Sequence, residues 1–174
     1  MHQNPPPTRT ISLIGMPGAG KSTVGVLLAK LSGLDFNDTD LEIQVQAGAT
    51  LQEIIDSRGH IVLRALEEEI LLAVPLTHTV IATGGSVVYS DRIMQRLKQA
   101  GPVVYLDVPL STLEARVAAA PPRGIASDVG YSYADVFRER TPLYRRYADF
   151  TVATEGRDPQ DVAMEILTRL RGAS

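Results

Sequence analysis

The stretch from Ile11 to Thr23, ISLIGMPGAGKST, constrains this chain more than any other, because a short apolar run leads without interruption into the spacing of a phosphate-binding loop. Gly15, Gly20, Lys21 and Ser22 satisfy the pattern G-x-x-x-x-G-K-[ST]. Glycines let backbone N–H groups turn inward around an anion without Cβ obstruction, and the helix that follows points its positive end at the same place. Gly15, Pro17, Gly18, Ala19, Gly20, Lys21, Ser22 and Thr23 are therefore the candidate cradle for a nucleotide. Lys21 would reach the β- and γ-phosphates as a point charge, and the Ser22 hydroxyl would ligate Mg²⁺.

The rest of the chain alternates strand and helix signals. Val24, Leu27, Leu28 and Leu31 give the first helix its apolar stripe, and Gly33 stops it. A strand is expected at Leu34 to Phe36, followed by mostly helical chain from Leu41 to Val74 broken near Gly48 and Gly59. Further strands are expected at His78–Ala82, Val103–Val108 and Phe150–Ala153, with helices at Asp91–Ala100, Leu110–Ala120, Ala134–Tyr147 and Pro159–Leu170. No hairpin signal interrupts the series, so the fold expected is α/β with a doubly wound parallel sheet. At 174 residues one domain is expected, over 9–174, after a proline-rich polar leader at 1–8. A net charge of −3 and a pI near 5.6 supply no broad positive field for a nucleic acid. The absence of cysteine removes disulfides, thiolate metal sites and a thiol nucleophile, and fits a cytoplasmic setting. No apolar run approaches the roughly 20 residues that span a bilayer.

Three further places carry candidate chemistry. Asp38 and Asp40 follow the second strand, where an i, i+2 pair can share a face at the ligand-binding edge of the sheet. Asp38 would meet the metal's water shell and Asp40 a substrate hydroxyl, unless one of them is only a helix cap. Gly84 and Gly85 follow the third strand, which allows either a close approach to a ligand or a plain turn. The Gly- and Pro-punctuated segment at about 119–133 is long enough for a lid and contains Arg123, an arginine that either stabilises transferring phosphate or simply faces water. Arg64, read by itself, is a surface charge paired with Glu67 or Glu68. Tyr131 and Tyr133, near the lid, either touch a ligand or simply pack or face solvent, and His2, His60 and His78 are scattered and carry no assigned role.

Taken together, GMPGAGKST, the segment Phe36-Asn37-Asp38-Thr39-Asp40, Arg64 with Glu67, Ala82-Thr83-Gly84-Gly85, and Arg140-Thr141-Pro142-Leu143-Tyr144 before Ala148-Asp149 resemble shikimate kinases in order and spacing over nearly the whole chain. The resemblance implies a three-layer α/β/α P-loop kinase with a five-stranded parallel sheet and a lid, acting as a monomer. It implies phosphorylation by ATP, with Mg²⁺, of a hydroxyl on a small carboxylated ring, most directly shikimate. Residue by residue it assigns Ser22 and Asp38 to the metal, and Lys21, Asp40 and the lid residue Arg123 to catalysis. Arg64, Gly84, Gly85, Ser86 and Arg140 join Asp40 around the acceptor, and Arg116, Arg157 and Pro159 lie on the adenine side. The departures cluster at the acceptor: Ser86 stands where a third glycine is usual, Leu63 and Ile55 replace phenylalanines, and the lid reads Arg123-Gly124-Ile125-Ala126 in place of R-P-L-L. They leave room for a kinase of a related hydroxy acid, or for a nucleotide-binding sensor with weak turnover.

Overall fold

The computed structural model describes residues 10–122 and 124–172. Its strands are β1 (Ile11–Ile14), β2 (Asp35–Asp38), β3 (Thr79–Ala82), β4 (Val103–Asp107) and β5 (Phe150–Ala153). The helices are α1 (Lys21–Ser32), α2 (Thr39–Ala47), α3 (Leu51–Arg58), α4 (His60–Ala73), α5 (Asp91–Ala100), α6 (Leu110–Ala119), α7 (Tyr133–Tyr147) and α8 (Pro159–Gly172), with a 3₁₀ turn at Val87–Tyr89. All strand pairs are parallel, in the order β2-β3-β1-β4-β5. Ser12 at the centre sits opposite Ile81 on one side and Val103 on the other. Every residue of β1 and β3 is buried although successive side chains face opposite ways, so helices cover both faces of the sheet. That is the three-layer arrangement the β-α alternation requires.

Differences from the sequence expectation lie at element ends. The second strand runs through Asp38 because its ladder with β3 continues to the pair Asp38–Ala82. As a half-exposed edge strand it carries polar residues and shows no apolar pattern. The third strand begins at Thr79: His78 leaves the extended region with φ 54, although its carbonyl still accepts from the Asp35 N–H at 3.0 Å. Gly33 ends α1 as expected, in the left-handed conformation with φ 70.

Two apolar cores result. The larger fills the sheet and its flanking helices. A smaller one, formed by Ile43, Ile54, Leu63, Ile70 and Ala126, holds α2, α3 and α4 together beneath part of the segment expected to be a lid. That segment is docked rather than loose at 124–126: Ile125 packs on the larger core, and Gly124 abuts Leu51 so closely that a Cβ would collide with its backbone. His60 Nε2 also lies 3.0 Å from Asp128 Oδ1. The leader at 1–8 and Arg123 lie outside the described residues.

Candidate active site

The loop between β1 and α1 turns on Gly20, whose φ of 94 suits glycine and opens the helix N-terminus toward the cleft. Lys21, 8% exposed, folds back so that Nζ donates to the carbonyls of Gly15 at 2.8 Å and Met16 at 2.9 Å. Burial draws its pKa down to about 8, opposed by Asp40, Glu67 and Asp38, which favour the charged form. Two neutral carbonyls are weaker partners for an ammonium than a phosphate oxygen. The loop thus holds its lysine ready for a polyanion.

Asp38 links this loop to the neighbouring strand. Its Oδ1 accepts from the N–H groups of Asp40 (3.0 Å) and Leu41 (3.2 Å), and its Oδ2 accepts from the Ser22 hydroxyl. The helix cap expected at this pair is therefore Asp38, and the same carboxylate serves the P-loop. Asp40, one step into α2, lines the cleft beside Gly84, where a Cβ would stand 2.8 Å from Asp40 Oδ1.

The corner after β3 is built for close approach. A Cβ on Gly84 would run into Glu67, and one on Gly85 would lie 2.9 Å from both Arg140 Nη1 and Pro17 Cδ. The Gly84 N–H donates to Thr39 Oγ1 at 3.0 Å, so Gly84 contributes space rather than a donor. Ser86 has φ −90, an ordinary conformation that carries no penalty for lacking the usual glycine. Its hydroxyl donates to Glu67 Oε2. Glu67 is 4% exposed, and its other oxygen has no hydrogen-bond partner. Burial, reinforced by the nearby Asp40 charge, pushes its pKa up to about 7, while the Ser86 hydrogen bond pulls the other way.

Arg140 in α7 is fully buried, and Arg64 in α4 half-buried. Their guanidinium groups converge: Arg64 Nη2 donates to the Ala126 carbonyl at 3.1 Å, and Arg140 Nη2 donates to the same oxygen. Arg64 therefore does not point to Glu67 or Glu68 as its helical spacing alone suggested. It lies over Tyr89, with Cζ 4.2 Å from the ring centroid, and its buried Nε is without a partner.

On the opposite side of the P-loop, Arg116 Nη1 donates to the Gly18 carbonyl at 3.2 Å. Arg157 is held by the Ala153 carbonyl (3.0 Å) and Glu165 (2.5 Å), just before Pro159 opens α8. A single cleft of about 890 Å³ joins these parts, lined by Pro17 through Thr23, Asp38, Asp40, Gly84, Gly85, Ser86, Arg116, Arg140, Arg157 and Pro159. Gly15 stays behind the loop as the carbonyl partner of Lys21, and Arg64 enters through its bond to Ala126. Leu63 lines the cleft, whereas Ile55 packs into the smaller core. Tyr133 donates to the Pro17 carbonyl at 2.5 Å and so braces the P-loop; Tyr131 is 46% exposed. Sequence reasoning did not single out Glu67 as a site residue, although its spacing from Arg64 belonged to the recognised pattern. It had no signal for Tyr89 or for the Ala126 carbonyl.

The shikimate kinase family profile matches residues 17–171. Shikimate kinase 2 of Enterobacter sp. is 37% identical over 169 residues, covering 94% of this chain and 97% of its own length. A shikimate kinase of Pseudomonas aeruginosa is 41% identical over 162 residues, covering 91% and 94%. Among solved structures, the Acinetobacter baumannii shikimate kinase in complex with shikimate superposes with a TM-score of 0.83 at 31% identity, over 97% of this chain and 96% of that one. A deoxyadenosine kinase from M. mycoides, with a TM-score of 0.60 at 16% identity over 94% and 99% of the two chains, shares the fold alone. With a matching family profile over most of its length and relatives of like size at 37% and 41% identity, this chain belongs to the shikimate kinase family.

Proposed function

We propose that this chain transfers the γ-phosphoryl group of ATP to the 3-hydroxyl of shikimate, giving ADP and shikimate 3-phosphate. The observation that carries the reading is the convergence of Arg64 and Arg140 on one oxygen, the Ala126 carbonyl, in the part of the cleft lined by Leu63, Gly85 and Ser86. A substrate carboxylate would replace that carbonyl and take forked hydrogen bonds from both guanidinium groups. The unpartnered Arg64 Nε and Glu67 Oε1 offer one more donor and one more acceptor to a ligand that carries both a carboxylate and hydroxyls.

In this reading Asp40 orients the accepting hydroxyl and receives its proton while that oxygen bonds to the γ-phosphorus and the bridge to ADP breaks. Lys21 and the N–H groups of the P-loop hold the charge on the phosphates in place. Arg116, Arg157 and Pro159 flank the adenine. Arg123, assigned by sequence alone, is the lid arginine for the transferring group. Ser22 and Asp38 suit Mg²⁺: their side-chain oxygens are adjacent hard donors, and among the described residues no cluster of three or more His, Cys, Asp or Glu competes for the ion. One carboxylate and one hydroxyl match an ion that completes its shell with water and phosphate oxygen. Bound there, it would neutralise phosphate charge. The monomer rests on the family resemblance. Use of ATP and the lack of cysteine support a cytoplasmic setting, and no helix among the described residues is long and apolar enough to cross a membrane.

The test is Asp40→Asn, assayed for shikimate-dependent ADP release and for nucleotide affinity. Turnover is expected to fall by about 10²–10⁴-fold, the range for a lost general base, with ATP affinity retained. Unchanged turnover would remove Asp40 from the mechanism.

A further inference from the structure

We propose that Tyr89 is a positioning residue for acceptor binding, its ring serving as the shared platform that holds Arg64 and Arg140 in the convergent geometry that takes a carboxylate. The inference rests on the reading of those two arginines as the carboxylate clamp. Arg64 comes from α4 and Arg140 from α7, and two guanidinium groups brought together repel. Tyr89 stands between these helices at the end of the 3₁₀ turn, anchored by the buried Val87 and Val88. Arg64 Cζ lies 4.2 Å from its ring centroid and Arg140 Cζ 5.3 Å, both within reach of a cation–π attraction. The phenol adds a second tether: its oxygen accepts from Arg140 Nε at 3.4 Å, and its O–H donates to Glu139.

The ring matters most when substrate arrives. In the ligand-free cleft the Ala126 carbonyl also bridges the two arginines. A carboxylate entering the clamp takes the place of that carbonyl, and Tyr89 is then the contact common to both guanidinium groups. Arg64 is especially dependent on it, since its buried Nε has no hydrogen-bond partner to fix the plane of the group.

Tyr89→Leu removes the ring but keeps an apolar side chain, and Tyr89→Phe removes only the hydroxyl. Steady-state KM values for shikimate and for ATP should be measured for the parent and both variants, with the inhibition constant of shikimate methyl ester, which lacks the anionic carboxylate. Tyr89→Leu should raise the shikimate KM by about tenfold and the ATP KM by no more than about twofold, as expected for losing two cation–π contacts. Tyr89→Phe, which keeps the ring and loses the 3.4 Å contact from Arg140 Nε, should raise the shikimate KM by about two- to threefold, and the methyl ester should bind the parent and Tyr89→Leu alike. Three results would overturn the proposal: an unchanged shikimate KM in Tyr89→Leu, a parallel rise in the ATP KM, or equal weakening of shikimate and its ester. A parent without shikimate-dependent turnover would instead refute the functional reading on which the proposal rests.

Discussion

Glu67 is the residue whose environment departs furthest from its sequence context. By its spacing from Arg64 it reads as a surface ion-pair partner, yet Glu67 is turned inward against Ser86 and faces Asp40, Lys21 and Arg140. Burial raises its pKa from 4.5 to about 7. A carboxyl shifted upward on folding favours the folded state fully below its unfolded pKa, and that contribution is lost as pH climbs through the folded value. The loss falls between about pH 4.5 and 7. Glu67→Gln, which cannot ionise, should therefore gain stability relative to the parent as pH rises from about 5 to 8. Urea unfolding at several pH values checks this; a stability difference that does not change with pH would contradict it. Ser86 belongs to the same local account. Read from sequence it threatens the pocket with an extra side chain, whereas in the structure it supplies the hydrogen bond to a carboxylate that would otherwise be buried with neither oxygen paired.

Between elements, the site depends on how closely the corner after β3 approaches α7 and the P-loop. Gly85 is the point of contact, since a Cβ there would lie 2.9 Å from Arg140 Nη1 and 2.9 Å from Pro17 Cδ. Gly85→Ala should displace the arginine rather than the whole loop. Its shikimate KM should rise by about tenfold or more, with overpacking costing about 1–3 kcal/mol of stability. An alanine variant with the parent's acceptor KM would show that the clamp tolerates the displacement. The elements themselves were legible from sequence where burial imposes a pattern: β1, β3 and β4 are buried, mostly apolar runs, and Gly33 and Gly48 mark helix ends. The edge strand β2 was placed too early because its half-exposed residues carry no apolar signal. The lid segment was legible as a long irregular loop, but its docking through Ile125 and Ala126 depends on tertiary contacts that no local pattern encodes.

Across the whole molecule, a large core carries the P-loop, and a small one carries Leu63 and Ala126 of the cleft wall. The P-loop signature was legible in the residues themselves, because anion binding by a loop and a helix N-terminus needs fixed residue types at fixed spacing. On the proposed acceptor side Asp40 and the Gly84-Gly85 turn carried a residue-level signal, whereas the arginine pair was assigned only through the family resemblance. Its arginines come from helices 76 positions apart in number, Arg64 and Arg140, and meet through a carbonyl and a tyrosine. The departures also divide along this line: Leu63 and Ser86 lie on the acceptor side, while the P-loop signature is complete. The acceptor's identity therefore turns on the side where the residues depart from the family pattern. The direct measurement is ADP release by the unmodified chain with MgATP and shikimate, beside ATP alone and a panel of ring and sugar hydroxy acids, with the product identified by mass. The account predicts turnover with shikimate far above the ATP-only rate and a product one phosphoryl group heavier. Preference for another acid, or silence across the panel with ATP still bound, would contradict it.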